Sequence, residues 1–148
     1  CVLRTFSKAY GLAGLRIGYG LASPQVAAIL QKARQPFNAN AMAQAAALAA
    51  MNDSEHVAKT MEVNRTGLAF YEQAFAARDL EYVPSAANFV LVKVGDGDDL
   101  FAKMLRKGVI VRAMSGYKLP EWVRISIGTM PENERCIEVL DEVLGCKA

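Results

Sequence analysis

The chain has 148 residues, 53% hydrophobic and 22% charged, with a formal net charge of +2. That is globular composition at one-domain length, and it carries no basic stripe with interleaved aromatics of the kind that binds nucleic acid. One histidine, His56, excludes a His-based catalytic triad or a multi-histidine metal site, and three cysteines without CxxC spacing fit neither a disulfide framework nor a zinc site.

The opening "CVLRTFS" is apolar enough for a short buried strand. It starts at Cys1 directly on that run and carries no signal-peptide pattern, and the chain is expected to be a piece of a longer one. "GLRIGYGLA" reads as a second strand, with glycines where backbones approach closely. Ser23-Pro24 starts a helix, serine as cap and proline at the first helical position, and the helix stops before Pro36. The alanine-rich "NANAMAQAAALAAMN" is helical by propensity and too short to span a membrane. Asp53-Ser54 caps a long helix to about Arg78, with Val57, Met61, Leu68, Tyr71 and Phe75 near one stripe. His56 reads as a solvated residue near its start.

Beyond that helix the texture changes. "LEYV", "NFVLVKV", "VIVRAM" and "WVRISIG" are strand-like. "DGDDLFAKMLRKG" and "PENERCIEVLDEVLG" are helices with acidic starts and a glycine after the last turn. The order strand, strand, helix, strand, strand, helix predicts a small α+β layer. Cys136 falls on a helix face and Cys146 in a frayed tail. The domain boundary is expected in or near the long helix, giving segments 1–53 and 54–148.

"TFSKAYGLAGLRIGYG" raises the functional question. A Walker loop needs its glycines before the lysine, whereas here they follow Lys8. A dinucleotide fingerprint needs GxGxxG between strand and helix, and Gly18-x-Gly20 lies on a strand. The remaining reading is a lysine that links covalently to a cofactor, on a rigid support beside an anion site. Thr5 and Ser7 supply hydroxyls, Arg16 supplies a planar fork suited to phosphate, and the glycines admit the cofactor close to the backbone. In "WVRISIG", an arginine amid Val123, Ile125 and Ile127 requires a partner, because an unpaired buried charge is costly.

These residues resemble the lysine segment of fold-type I, pyridoxal-phosphate-dependent aminotransferases of class I/II, closest to the histidinol-phosphate subgroup. The resemblance continues through "PFNANAMAQAAALAAM", "SAANFVLVKV", "GVIVRAM" and "WVRISIGTMPENERCIEVL". It implies an α/β fold, namely the end of the large cofactor-binding domain (1–53) followed by the linking helix and a small α+β domain (54–148). It implies pyridoxal 5'-phosphate as cofactor and no metal. Lys8 matches the lysine that carries the cofactor and moves the substrate's α-proton. Thr5, Ser7 and Arg16 match positions around the cofactor phosphate. Arg124 matches the arginine on the substrate carboxylate. Arg112 matches a further arginine expected on the substrate phosphate, and Asn88 is a candidate pocket residue.

The implied reaction is transamination between a small amino donor and a 2-oxo acid, histidinol phosphate with 2-oxoglutarate foremost, by a cytoplasmic homodimer that touches neither nucleic acid nor membrane. The alternatives are an aromatic or other amino-acid aminotransferase, a phosphothreonine-type decarboxylase of the same fold, or a non-catalytic globular fragment. The family's aspartate on the pyridine nitrogen, its ring-stacking residue and the partner-subunit tyrosine lie outside these 148 residues, so little activity is expected of the chain alone.

Overall fold

The structure is a computed structural model, and it describes residues 1–145. Two compact units divide the chain inside its longest helix, Cys1–Met61 and Glu62 onward. Cys146 lies outside the described residues.

In the first unit, β1 (Val2–Thr5) and β2 (Gly18–Leu21) form an antiparallel hairpin, with Val2 opposite Leu21 and Thr5 opposite Gly18. Glycine is required at 18, because a Cβ there would sit 2.7 Å from the Arg4 carbonyl oxygen. The second strand is shorter than its sequence run, since Ala13–Leu15 form a 3-10 turn. The helix α1 (Pro24–Ala33) has the expected cap, with Ser23 Oγ accepting from the Val26 N–H. Asn40 does the same for α2 (Ala41–Met51), taking the Ala43 N–H at 2.8 Å. Phe6, Ala43 and Ala47 are this unit's buried hydrophobics.

The helix α3 (Ser54–Ala76) runs out of this unit into the next. Asp53 Oδ1 accepts from the His56 N–H at its start, and His56 is exposed. Its buried residues are Gly67, Tyr71, Ala74 and Phe75. Met61 does not join them. It is 64% exposed, because the helix meets a core only along its later turns.

The second unit holds β3 (Tyr82–Val83), β4 (Phe89–Lys93), α4 (Gly97–Arg106), β5 (Arg112–Ala113), β6 (Trp122–Ser126) and α5 (Met130–Leu144). The four strands form one antiparallel sheet in the order β3-β4-β6-β5. Period-two alternation sends Val90, Val92, Val123 and Ile125 to one face, where they join Tyr71 and Phe75 of α3, Leu100 and Met104 of α4, and Ile137 and Leu140 of α5. Only two residues of "VIVRAM" pair as strand. Val111 before them and Met114 after them are buried and pack without being part of the strand, while Ile110 is exposed.

The helix ends follow their residue types. Gly108 has φ +82°, and its N–H bonds to the Leu105 carbonyl while that of Val109 bonds to Met104, which closes α4. Thr129 and Glu132 form a capping box at the start of α5. Cys136 is buried on the core side of α5, where desolvation pushes its thiol above the ordinary value against a hydrogen bond from Tyr71. It is a packing residue.

Candidate functional site

The lysine loop is residues 6–17, the connection of the β1–β2 hairpin. Phe6 organises it. Its N–H donates to the Ile17 carbonyl at 3.3 Å, and its own carbonyl accepts from the Leu12 N–H at 2.9 Å. The buried Phe6 ring contacts Tyr10 and Tyr19, at centroid distances of 4.9 and 5.7 Å. Lys8 sits in the turn that follows, its carbonyl taking the Gly11 N–H at 2.8 Å. Gly11 has φ +70°, the left-handed backbone that glycine adopts without penalty. Backbone bonds therefore hold the lysine's main chain while its side chain stays exposed.

The other predicted donors lie on the same hairpin. Thr5 Oγ1 accepts from the Ser7 N–H at 3.0 Å, which leaves its own hydroxyl hydrogen free to donate. Arg16 is exposed and uses one nitrogen, Nη1, to reach the Ala13 carbonyl at 2.8 Å. The rest of its five-donor fork has no partner among the described residues. Arg16 also adopts φ 53°, ψ 51°, a left-handed conformation that carries a steric cost for a residue with a Cβ. Hydroxyls, an amine and an underused guanidinium on one short hairpin suit an anionic group with a carbonyl.

The second set lies on the sheet face away from the core. There Phe89, Leu91 and Lys93 of β4 stand opposite Ser126, Arg124 and Trp122 of β6. Arg112 of β5 is directly opposite Arg124. Two guanidiniums thus share one row of the sheet, and neither forms an ion pair with a carboxylate among the described residues. Arg124 is half-buried, and its Nε has no hydrogen-bond partner among the described residues. Its guanidinium lies 5.0 Å from the centre of the Phe89 ring, and that of Arg112 lies 5.5 Å from the centre of Tyr117. Asn88 immediately precedes β4, and its carbonyl accepts from the Ile127 N–H at 3.0 Å, extending the β4–β6 pairing by one bond.

Neither aromatic support is among the residues predicted from the sequence. Phe89 was legible, because alternation along "FVLVK" and "WVRIS" puts it on the face of Arg124. Tyr117 had no such signal, since it reaches Arg112 through a 3-10 turn at Ser115–Tyr117 that no periodicity marks.

The aminotransferase class I and II family model matches residues 1–140. The chain belongs to that family. A histidinol-phosphate aminotransferase of Akkermansia muciniphila is 64% identical over 143 residues, which are 97% of this chain and 39% of that protein. A histidinol-phosphate aminotransferase 2 of Ralstonia nicotianae is 56% identical over 147 residues, with the same shares. Among solved structures, the histidinol-phosphate aminotransferase of Sinorhizobium meliloti in complex with pyridoxal-5'-phosphate superimposes with a TM-score of 0.82 at 32% identity, over 97% of this chain and 40% of that one. The aminotransferase chain described here therefore spans about 39% of the length of these curated relatives. No helix among its described residues is long and apolar enough to cross a membrane.

Proposed function

We propose that the complete protein is a pyridoxal-phosphate-dependent histidinol-phosphate aminotransferase, cytoplasmic and dimeric, and that this chain contributes its lysine segment and small domain. One observation carries the substrate class. Arg112 and Arg124 face each other across β5 and β6, with no carboxylate paired to either among the described residues. A pair of like charges on one cross-strand row is destabilising unless an anion joins it, and a phosphate dianion fits two guanidiniums better than a single carboxylate does. The relatives at 56–64% identity carry the same substrate in their names.

The residues divide the work. Lys8 would hold the cofactor covalently, with Thr5, Ser7 and Arg16 around its phosphate. When bound, pyridoxal phosphate supplies the electron sink that makes the α-proton of the amino donor removable. The amine of Lys8, on a main chain fixed by the Phe6 and Gly11 hydrogen bonds, would take that proton and return it two atoms along, on the far side of the nitrogen. Arg124 and Arg112 would hold the phosphate of histidinol phosphate in one half-reaction, and Arg124 the carboxylate of the 2-oxo acid in the other. The aromatic faces under both guanidiniums limit their wandering and so fix the reach of the site.

The test is steady-state kinetics of the complete protein, with histidinol phosphate, an aromatic amino acid and phosphothreonine as competing substrates. Histidinol phosphate should win in kcat/KM. Arg124→Lys should raise KM for the amino donor by roughly thirtyfold, because the bidentate fork is lost, with cofactor affinity nearly unchanged. Preference for the aromatic donor, or loss of cofactor instead of substrate, would overturn the reading.

A further inference from the structure

Among the described residues, two buried side-chain atoms stand without a hydrogen-bond partner, Asn64 Oδ1 and Arg124 Nε. Both residues bear on the same short segment, Ala87–Phe89. Asn64, on α3, donates from Nδ2 to the Ala87 carbonyl at 3.1 Å. The Asn88 carbonyl takes the Ile127 N–H, one residue beyond β6. The Phe89 ring lies under the Arg124 guanidinium. Three consecutive residues are thus tied to three different places, and the helix end of the chain of ties is Asn64.

The orientation of the Asn64 amide follows from chemistry. Turning it over would set its oxygen against the Ala87 carbonyl, acceptor to acceptor. The oxygen is therefore the atom left over, and leaving a buried acceptor unpaired is costly. The donor half of the Asn64 amide holds the Ala87 carbonyl, and its acceptor half is unspent among the described residues. Such departures from local consistency concentrate where function requires them.

The neighbouring turn of α3 shows how tightly this helix meets the end of β6. At Gly67 an added Cβ would collide with the Ile127 side chain and lie 2.9 Å from Asn133 Nδ2. Asn133 in turn grips Gly128, accepting its N–H at 2.9 Å and donating to its carbonyl at 3.1 Å. Through Asn64 and Gly67, α3 meets the segment that leads into β4 and the residues just past the end of β6.

We propose that Asn64 is a positioning residue of the arginine site, setting through Ala87 and the Phe89 ring the place from which Arg124 meets its anion. The inference rests on the reading of Arg124 and Arg112 as an anion site. It would make α3 part of the substrate-binding apparatus and not only a linker.

The experiment uses the complete protein loaded with cofactor, so that the cofactor's phosphate site is filled, and inorganic phosphate as probe. Phosphate affinity is measured by calorimetric titration for wild type, Asn64→Ala, Asn64→Asp and Arg124→Lys, beside amino-donor KM and kcat and thermal unfolding. Asn64→Ala should weaken phosphate roughly five- to tenfold and raise KM by a similar factor, with a smaller change in kcat. Asn64→Asp keeps the volume but sets an acceptor against the Ala87 carbonyl, so it should be at least as poor. Should Asn64→Ala fail to fold, Asn64→Gln, which keeps the amide, is read in its place and should still lose phosphate affinity. Unchanged phosphate affinity and KM with only a lowered melting temperature would reduce Asn64 to a structural latch. If Arg124→Lys weakens phosphate and the Asn64 variants do not, this inference alone falls. If Arg124→Lys leaves phosphate binding intact, the anion-site reading falls and takes the inference with it.

Discussion

The two compact units hold their charged residues by different means. In the first, Phe6, Ala43 and Ala47 are the buried hydrophobics, while Leu3, Leu21, Ile29 and Leu48 are exposed. Lys8 is fixed there by backbone hydrogen bonds through Phe6, Leu12 and Gly11. In the second, an apolar cluster from three helices and a sheet sets the strands, and the strands set the arginines. Placement of Lys8 depends on turn chemistry, whereas placement of Arg124 depends on a core and a register. Substitutions in the two units should therefore fail differently.

The largest stability effect is expected in the second unit. Arg78, just past α3, makes a bidentate ion pair with Asp141 of α5, Nε to Oδ1 at 2.5 Å and Nη2 to Oδ2 at 2.6 Å. The side chains are only 11% and 19% exposed. Arg78→Ala should cost about 3 kcal/mol, because the Asp141 carboxylate is left largely buried without its partner. Chemical denaturation of the complete protein checks this. A loss below ~1 kcal/mol would show that the core does not depend on this tie between α3 and α5.

Arg16→Gly sharpens the comparison, because stability and function should move in opposite directions. Glycine relieves the left-handed backbone at φ 53°, while the anion loses its guanidinium. Thermal stability without cofactor should hold or rise slightly, and cofactor affinity should fall by roughly thirtyfold. An absorbance titration with pyridoxal phosphate reads the second quantity. A variant that both destabilises the protein and retains cofactor would reverse the assignment.

These contrasts explain what the sequence could and could not say. Caps were legible because they are local: Ser23, Asp53 and Gly145 all stand where the helices start or stop. The open face of β6 was legible from the alternation Trp122, Arg124, Ser126. The pairing of Arg112 with Arg124 was not, since register across a sheet joins residues distant in sequence. Met61 fitted the helical stripe and is nonetheless exposed, because periodicity marks a face but not how far a core extends along it. Asn64 and Asn133 gave no signal, as an asparagine inside a helix ordinarily reads as a weak helix former.

The smallest effect is acid-dependent. Glu132 accepts from the Thr129 N–H and hydroxyl, both at 2.7 Å, and these bonds hold its carboxyl below the ordinary carboxylate value. A lowered folded-state value means the contribution is present above the ordinary value and is lost as pH falls through the lowered one. Glu132→Gln should therefore remove a slight acid-side slope in stability and leave the neutral plateau nearly level. Melting curves from pH 7 down to about 3 read the slope, and an unchanged slope would show that this cap does not couple to pH.

The central claim is that the turn after β1 presents Lys8 as the covalent anchor of the cofactor. It is tested most directly by borohydride reduction of the complete protein with pyridoxal phosphate, followed by peptide mapping. The account predicts one pyridoxyl label, on Lys8 in "TFSKAYG". A label on Lys32, Lys103 or another lysine, with Lys8 unmodified, would contradict it.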